Sequence, residues 1–407
     1  MHPPSLGTST RLASLVMLVA LAGCNGDDGS SSPTTSDSGV STATTTGSST
    51  GETTLEISTS TGSSTGTSTS ESDSDITDSS SGTSTATTTA TTTGTTTGTT
   101  TGTTTGTTTG GLCLDDLPNP PGDQAVLAQE YVGTYFPYDL GSVPKEGGGM
   151  LPRLGGLVIS PEDPDVMLVI GPSEVADAEL HQIGIERGPC GHIIGFVGTA
   201  SKVLTAPYLD LMSNGPKGIV FISHYPTKKL SQHLPGTMEL VDTIDLSPLA
   251  QNHSPGGLNF VPPGYADAGM LRLMGFPTDH VDPGGWYRST ITYNKDHYTI
   301  GPLEKTADIT NGPGGFAYIP AGSPLFPDQR IMVTEWLSNP RSVASYAVDD
   351  EGDPIPETRK LFFESFVKPW GSYFEPETGD YMFLQWEAQP DHIFIVQGFV
   401  PPPPIPG

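Results

Sequence analysis

Side chains able to bind a metal or to stack on a ligand recur beside short apolar runs from residue 153 onward. An arginine and a histidine precede such runs, and imidazole, carboxylate, amide and aromatic groups follow others. The set is Arg153, His224, Tyr225, His253, Asp279, His280, Trp336, Asn339, Trp386 and Glu387. Imidazole and carboxylate groups together suit a metal, and tyrosine and tryptophan rings stack on sugars and peptides. A polar, aromatic rim with ordinary hydrogen bonds is the third interpretation, and the residues leave all three open.

No catalytic motif accompanies this set. Residues 112–407 contain no GxSxG nucleophile turn, HExxH zinc helix, Walker phosphate loop or GxGxxG dinucleotide loop. The sequence therefore identifies no catalytic residue and no organic cofactor. A divalent metal, Ca²⁺ or Zn²⁺, is the cofactor that the candidate set would suit.

The elements that must position these residues are short strands. From Cys113 onward, apolar runs rich in Val, Ile, Phe and Tyr alternate with Gly and Pro, which predicts an all-β domain over 112–407. One or two glycines open a strand at four places, and a proline follows each strand within a few residues. With Leu211 as the anchor of a degraded fifth copy, the anchors at positions 156, 211, 257, 315 and 371 are 55, 46, 58 and 56 residues apart.

This spacing of about 50 residues, with four short strands in each unit, is typical of a β-propeller. Five blades are counted, or six if the segment before the first anchor forms an eroded blade. Glycine is expected at the hub because the blade backbones approach one another closely there. The last unit lacks a fourth strand after Ile393–Gln397, so residues 125–137 are predicted to complete it and close the ring. The segment Pro401–Pro404 is predicted to be an extended stub.

Two runs of the domain resemble a known group of propellers. Gly314–Pro320 and Val343–Gly352 are similar to NHL and gluconolactonase-type repeats, and the domain also resembles secreted bacterial propellers of no assigned activity. In catalytic relatives, acidic and amide side chains hold a divalent metal in the central tunnel, and no such ligand set matches here residue by residue. We therefore expect a non-catalytic module that binds a protein, glycan or small molecule. The alternatives are a metal-dependent hydrolase or lactonase of the gluconolactonase kind and a quinone-dependent sugar dehydrogenase.

Residues 1–23 have the pattern of an export leader. A basic segment ends at Arg11, and the ten-residue apolar run Leu12–Leu21 is too short to span a bilayer. Leu21-Ala22-Gly23-Cys24 resembles the lipobox of bacterial lipoproteins, in which the cysteine thiol receives a diacylglycerol and becomes the first residue after cleavage. The resemblance implies lipidation at Cys24 and a cell-envelope location, at the outer membrane or cell surface.

Residues 24–111 are predicted to form a disordered stalk. They consist almost entirely of Ser, Thr, Gly and Asp and end in five TTTG units, so apolar burial cannot offset the entropy of ordering. As a flexible coil the stalk would reach on the order of 50 Å. The whole chain has a net charge of −28, which disfavours nucleic acid as a partner. The lipid anchor is thus the one predicted contact with a membrane.

Two further cysteines, Cys113 and Cys190, belong to a chain predicted to leave the reducing cytosol. A disulfide between them is consistent with that location. Two unpaired buried thiols are the alternative, because geometry decides whether a bridge can form.

Overall fold

The described part of the chain is built from β-strands. The computed structural model describes residues 113–116, 119–281, 283–386, 388 and 390–405, so the predicted leader, Cys24 and the whole predicted stalk lie outside it. The strands are β1 (Ala125–Leu127), β2 (Phe136–Gly141), β3 (Leu157–Ile159), β4 (Val166–Ile170), β5 (Glu179–Arg187), β6 (Ile193–Thr205), β7 (Leu209–Asn214), β8 (Val220–His224), β9 (Lys229–His233), β10 (Leu240–Asp245), β11 (His253–Phe260), β12 (Leu271–Pro277), β13 (Gly284–Ser289), β14 (Ile291–Asn294), β15 (His297–Ile300), β16 (Glu304–Ile309), β17 (Pro313–Tyr318), β18 (Arg330–Glu335), β19 (Ser342–Ala347), β20 (Lys360–Phe366), β21 (Pro369–Phe374), β22 (Tyr381–Gln385) and β23 (Ile393–Gln397).

Among the residues that the structure describes, helical structure is confined to single turns. The described residues include 3₁₀ turns at Gly122–Gln124, Gln129–Tyr131, Pro216–Gly218 and Pro356–Thr358. Within the described residues there is no helix with the length and apolar character needed to cross a membrane.

Five antiparallel sheets form the blades. They are β3 to β6, β7 to β10, β11 to β13 with β16, β17 to β20, and β21 to β23 with β2; β14 and β15 form a separate hairpin. The first strand of each blade contacts the first strands of both neighbours, and the contact between β21 and β3 closes the ring. The predicted five-bladed all-β propeller is therefore confirmed.

The segment before the first blade is divided between two blades. β2 pairs with β23 and completes the last blade, whereas β1 pairs with β20 as a fifth strand on the preceding blade. The prediction that residues 125–137 complete the last blade is thus confirmed for Phe136 and Pro137, which begin β2, and wrong for β1, and the described residues form no sixth blade. The turn Gln129–Tyr131 separates the two strands, because the buried ring of Tyr131 packs on Phe362 in the core between the blades.

Aromatic rings fill the space between the last two blades. Phe363 lies 5.3 Å from Phe383, and Phe366 lies 4.9 Å from Phe394, between ring centroids. All four side chains are buried, and burial of each contributes about 1.5 to 3 kcal/mol relative to exposure. This packing stabilises the contact between the fourth blade and the last blade, which β2 completes.

The first described residues are fastened to the first blade. Cys113 and Cys190 are joined by a disulfide, with their Cα atoms 5.6 Å apart. The Asp115 carboxylate accepts hydrogen bonds from the backbone nitrogens of Cys190 and His192 at 3.0 and 3.2 Å. Because the two cysteines are 77 residues apart, loop-closure entropy gives the bond a stabilising effect on the order of 4 kcal/mol.

The inner strands leave little room for side chains at the axis. A Cβ atom on Gly156 would lie 2.5 Å from the amide nitrogen of Met212, and one on Gly315 would lie 2.4 Å from the carbonyl carbon of Gly371. The crowding predicted as the reason for glycine at the hub is therefore confirmed. The five predicted anchors all border one residual space: Gly156, Leu211, Gly257, Gly315 and Gly371.

Substitution of Gly315 by alanine tests this crowding. Gly315→Ala should lower the free energy of unfolding by about 3 kcal/mol or more, because backbone atoms of the next blade would have to move. Gly195→Ala on β6 is the control, since its Cβ would meet the flexible Glu186 side chain, with the carboxylate oxygen closest at 3.2 Å. Urea unfolding measures both, and equal losses would contradict the hub explanation.

Candidate functional site

The closed hub separates two faces of the propeller. We name the face where the inner strands begin the start mouth, and the face where they end the end mouth. The residual space at the hub is about 10 Å³, the size of a single water at most. A ligand bound at one mouth therefore cannot reach the other along the axis.

Three indole rings fill the start mouth. Trp336 and Trp386, both predicted at this face, lie 5.1 Å apart between centroids, and Trp370 lies 5.9 and 5.8 Å from them. The guanidinium of Arg341 lies 4.7 Å above the ring of Trp336, and that of Arg153 lies 5.2 Å above Trp386. The rings thus pack on one another and on arginine, with Trp336 and Trp370 buried and Trp386 half-buried.

Asp210 and Trp370 close the axis at the start mouth. They stand one residue before the anchors Leu211 and Gly371, where the other three blades have glycine. Asp210 Oδ1 accepts a hydrogen bond from Trp370 Nε1 at 3.0 Å. A Cβ on Gly314 would lie 2.7 Å from the Trp370 ring, so glycine at that position makes room for the indole. Sequence reasoning missed Asp210 because the second blade lacks the glycine motif that marks the hub elsewhere.

Asp210 is a fully buried carboxyl group. Its side chain is 0 % exposed, and within the described residues Oδ2 has no hydrogen-bond partner. Burial raises the pKa of Asp210 to about 7, and the hydrogen bond from Trp370 and the charge of Arg153 partly oppose this shift. The folded protein therefore favours the protonated form of this group.

The stability of the protein should fall as pH rises because of Asp210. The stabilising effect of the protonated form is complete below the ordinary pKa of 3.8 and is lost as pH rises to about 7. At about 1.4 kcal/mol per pKa unit, the part of this loss that falls between pH 5 and pH 8 is on the order of 3 kcal/mol. Asp210→Asn is neutral throughout and should remove this loss, as measured by urea unfolding at pH 5 and pH 8. The same pH dependence in both proteins would show that Asp210 is not its source.

The two buried histidines of the predicted set are hydrogen-bonded within blades. His224 Nδ1 lies 2.8 Å from the Pro207 carbonyl oxygen, and its Nε2 lies 2.9 Å from Ser231 Oγ. His253 Nδ1 lies 2.7 Å from Tyr287 Oη, with Nε2 3.2 Å from a second backbone carbonyl. Burial lowers the pKa of both imidazoles. Both ring nitrogens of each histidine therefore have partners inside the protein, and a ligand contact of either residue stays a prediction.

Two of the remaining predicted residues, Tyr225 and His280, join the rings of the start mouth through Phe276, which lies 5.4 Å from Trp370 between centroids. Asp279 is exposed and its carboxylate accepts a hydrogen bond from the Val281 nitrogen at 3.0 Å. His280 and Tyr225 both place their rings against Phe276, at 5.7 and 6.1 Å between centroids. The other two are Asn339, which is exposed, and Glu387, which lies outside the described residues.

The residues at the hub do not fit the divalent metal implied by the gluconolactonase resemblance. Asp210 is the one acidic residue among the five anchors and the five positions before them, and it is engaged by an indole. Across the described residues, no group of three or more His, Cys, Asp or Glu side chains is placed to hold a metal ion. We therefore derive no chemistry through a metal.

The end mouth opens into a cavity of about 450 Å³. Five aromatic side chains contribute to its lining: Phe260, Tyr265, Tyr318, Tyr373 and Phe374. Prolines from the loops after four of the five inner strands also line it. The sequence marks these prolines as following the inner strands but does not indicate that they line a cavity.

Amide groups, tyrosine hydroxyls, Ser213 and Lys217 provide the polar part of this lining. Asn214 Nδ2 donates to the Ile159 carbonyl at 2.7 Å, and its buried Oδ1 has no hydrogen-bond partner within the described residues. Tyr318 Oη donates to the Gly352 carbonyl at 2.8 Å. Asn259 Oδ1 accepts a hydrogen bond from the Phe260 nitrogen at 2.8 Å. The cavity thus combines ring surfaces with a few fixed polar groups, the usual composition of a ligand pocket.

No protein-family profile and no curated protein matches the chain. Among solved structures, it is similar to a gluconolactonase from Xanthomonas campestris (12 % identity, covering 68 % of this chain and 86 % of that one, TM-score 0.38). It is also similar to a PQQ-bound aldose sugar dehydrogenase from Streptomyces coelicolor (12 %, 63 % and 82 %, TM-score 0.35). A third is an auxiliary nutrient binding protein from Bacteroides thetaiotaomicron (8 %, 64 % and 76 %, TM-score 0.36). At these scores the likenesses carry no argument about activity, and the propeller fold rests on the blades themselves.

Proposed function

We propose that this protein is a non-catalytic binding module that takes an uncharged peptide segment of a partner protein in the end-mouth cavity. The observation that carries the proposal is the chemistry of the cavity, whose lining contains no Asp, Glu, His or Cys among the described residues. Its one cation there, Lys217, places its ammonium 5.2 Å over the ring of Tyr293. Those side chains supply most acid–base, nucleophilic and metal-dependent catalysis. A volume of about 450 Å³ lies within the range of small-molecule and cofactor pockets.

The lining favours a peptide over a glycan. Sugar hydroxyl groups require many hydrogen-bond acceptors, and the cavity has no carboxylate to accept from them. Rings and prolines such as Phe260, Tyr318 and Pro262 instead offer apolar surface of the kind that grooves for proline-rich peptides use. The amides of Asn214 and Asn259 add groups that can pair with a peptide backbone.

The two catalytic alternatives have less support. A lactonase of the gluconolactonase kind requires metal ligands on the axis, where Asp210 is the one acidic residue of the hub positions and accepts a hydrogen bond from Trp370. A quinone-dependent dehydrogenase requires space in the tunnel for a flat cofactor. The hub space of about 10 Å³ and the three packed indoles leave no such space.

Blocking the cavity should abolish peptide binding. Ala321 is exposed and lines the cavity, so Ala321→Trp should weaken binding to capped, uncharged decapeptides at least about tenfold by removing contact area. Thr199→Trp, on the exposed edge of β6, is the matched control and should bind normally. A peptide array followed by calorimetry measures both. Binding that survives Ala321→Trp, or cleavage of a bound peptide, would sink the proposal.

We further propose that the module is displayed from the cell envelope through a lipid on Cys24, with residues 25–111 as a spacer. The lipobox-like Leu21–Cys24 segment and the Ser/Thr-rich composition support this arrangement. Two or three acyl chains would make attachment effectively permanent, since each buried methylene adds about 0.8 kcal/mol.

Cys24→Ser should release the protein from the membrane fraction and prevent incorporation of radiolabelled palmitate in its native host. Cys113→Ser is the control, because it alters a cysteine of the domain and should leave both labelling and membrane attachment intact. Fractionation and autoradiography provide the two measurements. Membrane attachment of the Cys24→Ser protein would show that the anchor lies elsewhere.

A further inference from the structure

We infer that the segment Pro401–Ile405 is a tethered cover on one side of the end-mouth cavity, and that the partner segment recognised there has the same chemistry and competes with it. That chemistry is an extended run of prolines followed by an aliphatic side chain. The inference rests on the proposed peptide-binding function of this cavity and names the class of peptide that it takes.

The segment runs along the cavity. Four consecutive residues, Pro402 to Ile405, contribute to the lining, and the half-buried Ile405 packs against the main hydrophobic core. The segment starts from a fixed point, because the ring of Phe399 is only 1 % exposed and the Val400 nitrogen donates to Ser323 Oγ at 3.4 Å. It is therefore directed across the mouth by its own attachment.

Side-chain contact alone holds the segment in place. In the described part of the chain, no backbone hydrogen bond joins Pro401–Ile405 to any other residue. Proline has no N–H to donate, and no strand pairs with this segment. A segment bound only by ring and aliphatic contacts can leave without breaking a sheet, whereas β2 and β23 cannot.

The cavity and the segment match a known mode of peptide recognition. Four successive prolines favour the polyproline II conformation, which is already extended before binding and so loses little entropy when it docks. Grooves for such segments are lined by aromatic rings, and here Phe260, Tyr318 and Tyr373 provide them. Ile405 adds one aliphatic contact at the end of the proline run.

The tether makes the segment a competitor. A short covalent link holds its target at an effective concentration in the millimolar range. An external peptide of the same chemistry must displace it, so the apparent dissociation constant of the full chain is raised. The segment thus sets a threshold that favours partners presenting a longer or repeated proline-rich sequence.

The test uses a fluorescent peptide with the sequence of residues 398–407, GFVPPPPIPG. Fluorescence polarisation compares the full chain, a variant ending at Val400, and the full chain with Ile405→Asp, which removes the aliphatic contact but leaves the segment present. Both variants should bind at least about tenfold more tightly than the full chain, and adding Ala321→Trp should abolish that binding. Val367→Asp, at an exposed valine outside the cavity lining, is the control and should behave as the unmodified chain.

Each result separates this inference from the proposed function. Equal affinity of the full chain and both variants would show that the segment does not compete, which overturns the inference. If the peptide fails to bind either variant while other uncharged decapeptides bind in a manner blocked by Ala321→Trp, the ligand class is wrong and the binding function stands. If no peptide binds, both fail. Self-association of the full chain that Ile405→Asp abolishes would assign the segment to the cavity of a second copy and overturn the tethered arrangement.

Discussion

The close approach of five inner strands at one axis is the constraint on which the rest of the structure depends. Backbone atoms of neighbouring blades come so near that a Cβ on Gly156 or Gly315 would meet them at 2.5 or 2.4 Å. The constraint determines which residue type each blade can place at the hub. It also divides the molecule into two mouths with no passage between them, so any ligand must bind on one face alone.

The two mouths differ chemically because two of the five blades have a residue other than glycine one position before the anchor. One residue before the anchors, three blades have glycine, and the space they leave takes the side chains of Asp210 and Trp370. Those groups, with two more indoles, fill the start mouth. At the end mouth the strands diverge into proline-bearing loops, and a cavity of about 450 Å³ remains. In this protein the start mouth is thus occupied by side chains, and the open cavity lies at the end mouth.

The fold could be predicted further than the site could. Glycine spacing reports the hub because backbone crowding selects a residue type, and closure by β2 follows from a missing strand. The side chain at the end of a strand is harder to predict, because successive residues point to opposite faces. His224 and His253 end or begin strands as expected, yet both rings turn into their blades. The sequence does not mark Asp210, because its blade lacks the hub glycine motif. It marks the end mouth only by the prolines that follow the inner strands.

The rings and prolines that line the end-mouth cavity present apolar surface that would otherwise contact solvent. Pro401–Ile405 covers some of this surface at low entropic cost, since proline has a fixed φ angle before it docks. Sequence alone indicated an extended stub and nothing about where it would lie. A firmly held segment would need backbone hydrogen bonds to its surroundings, and proline has no N–H group to donate one. Proline therefore explains both why the segment covers the cavity at low entropic cost and why the segment is held weakly.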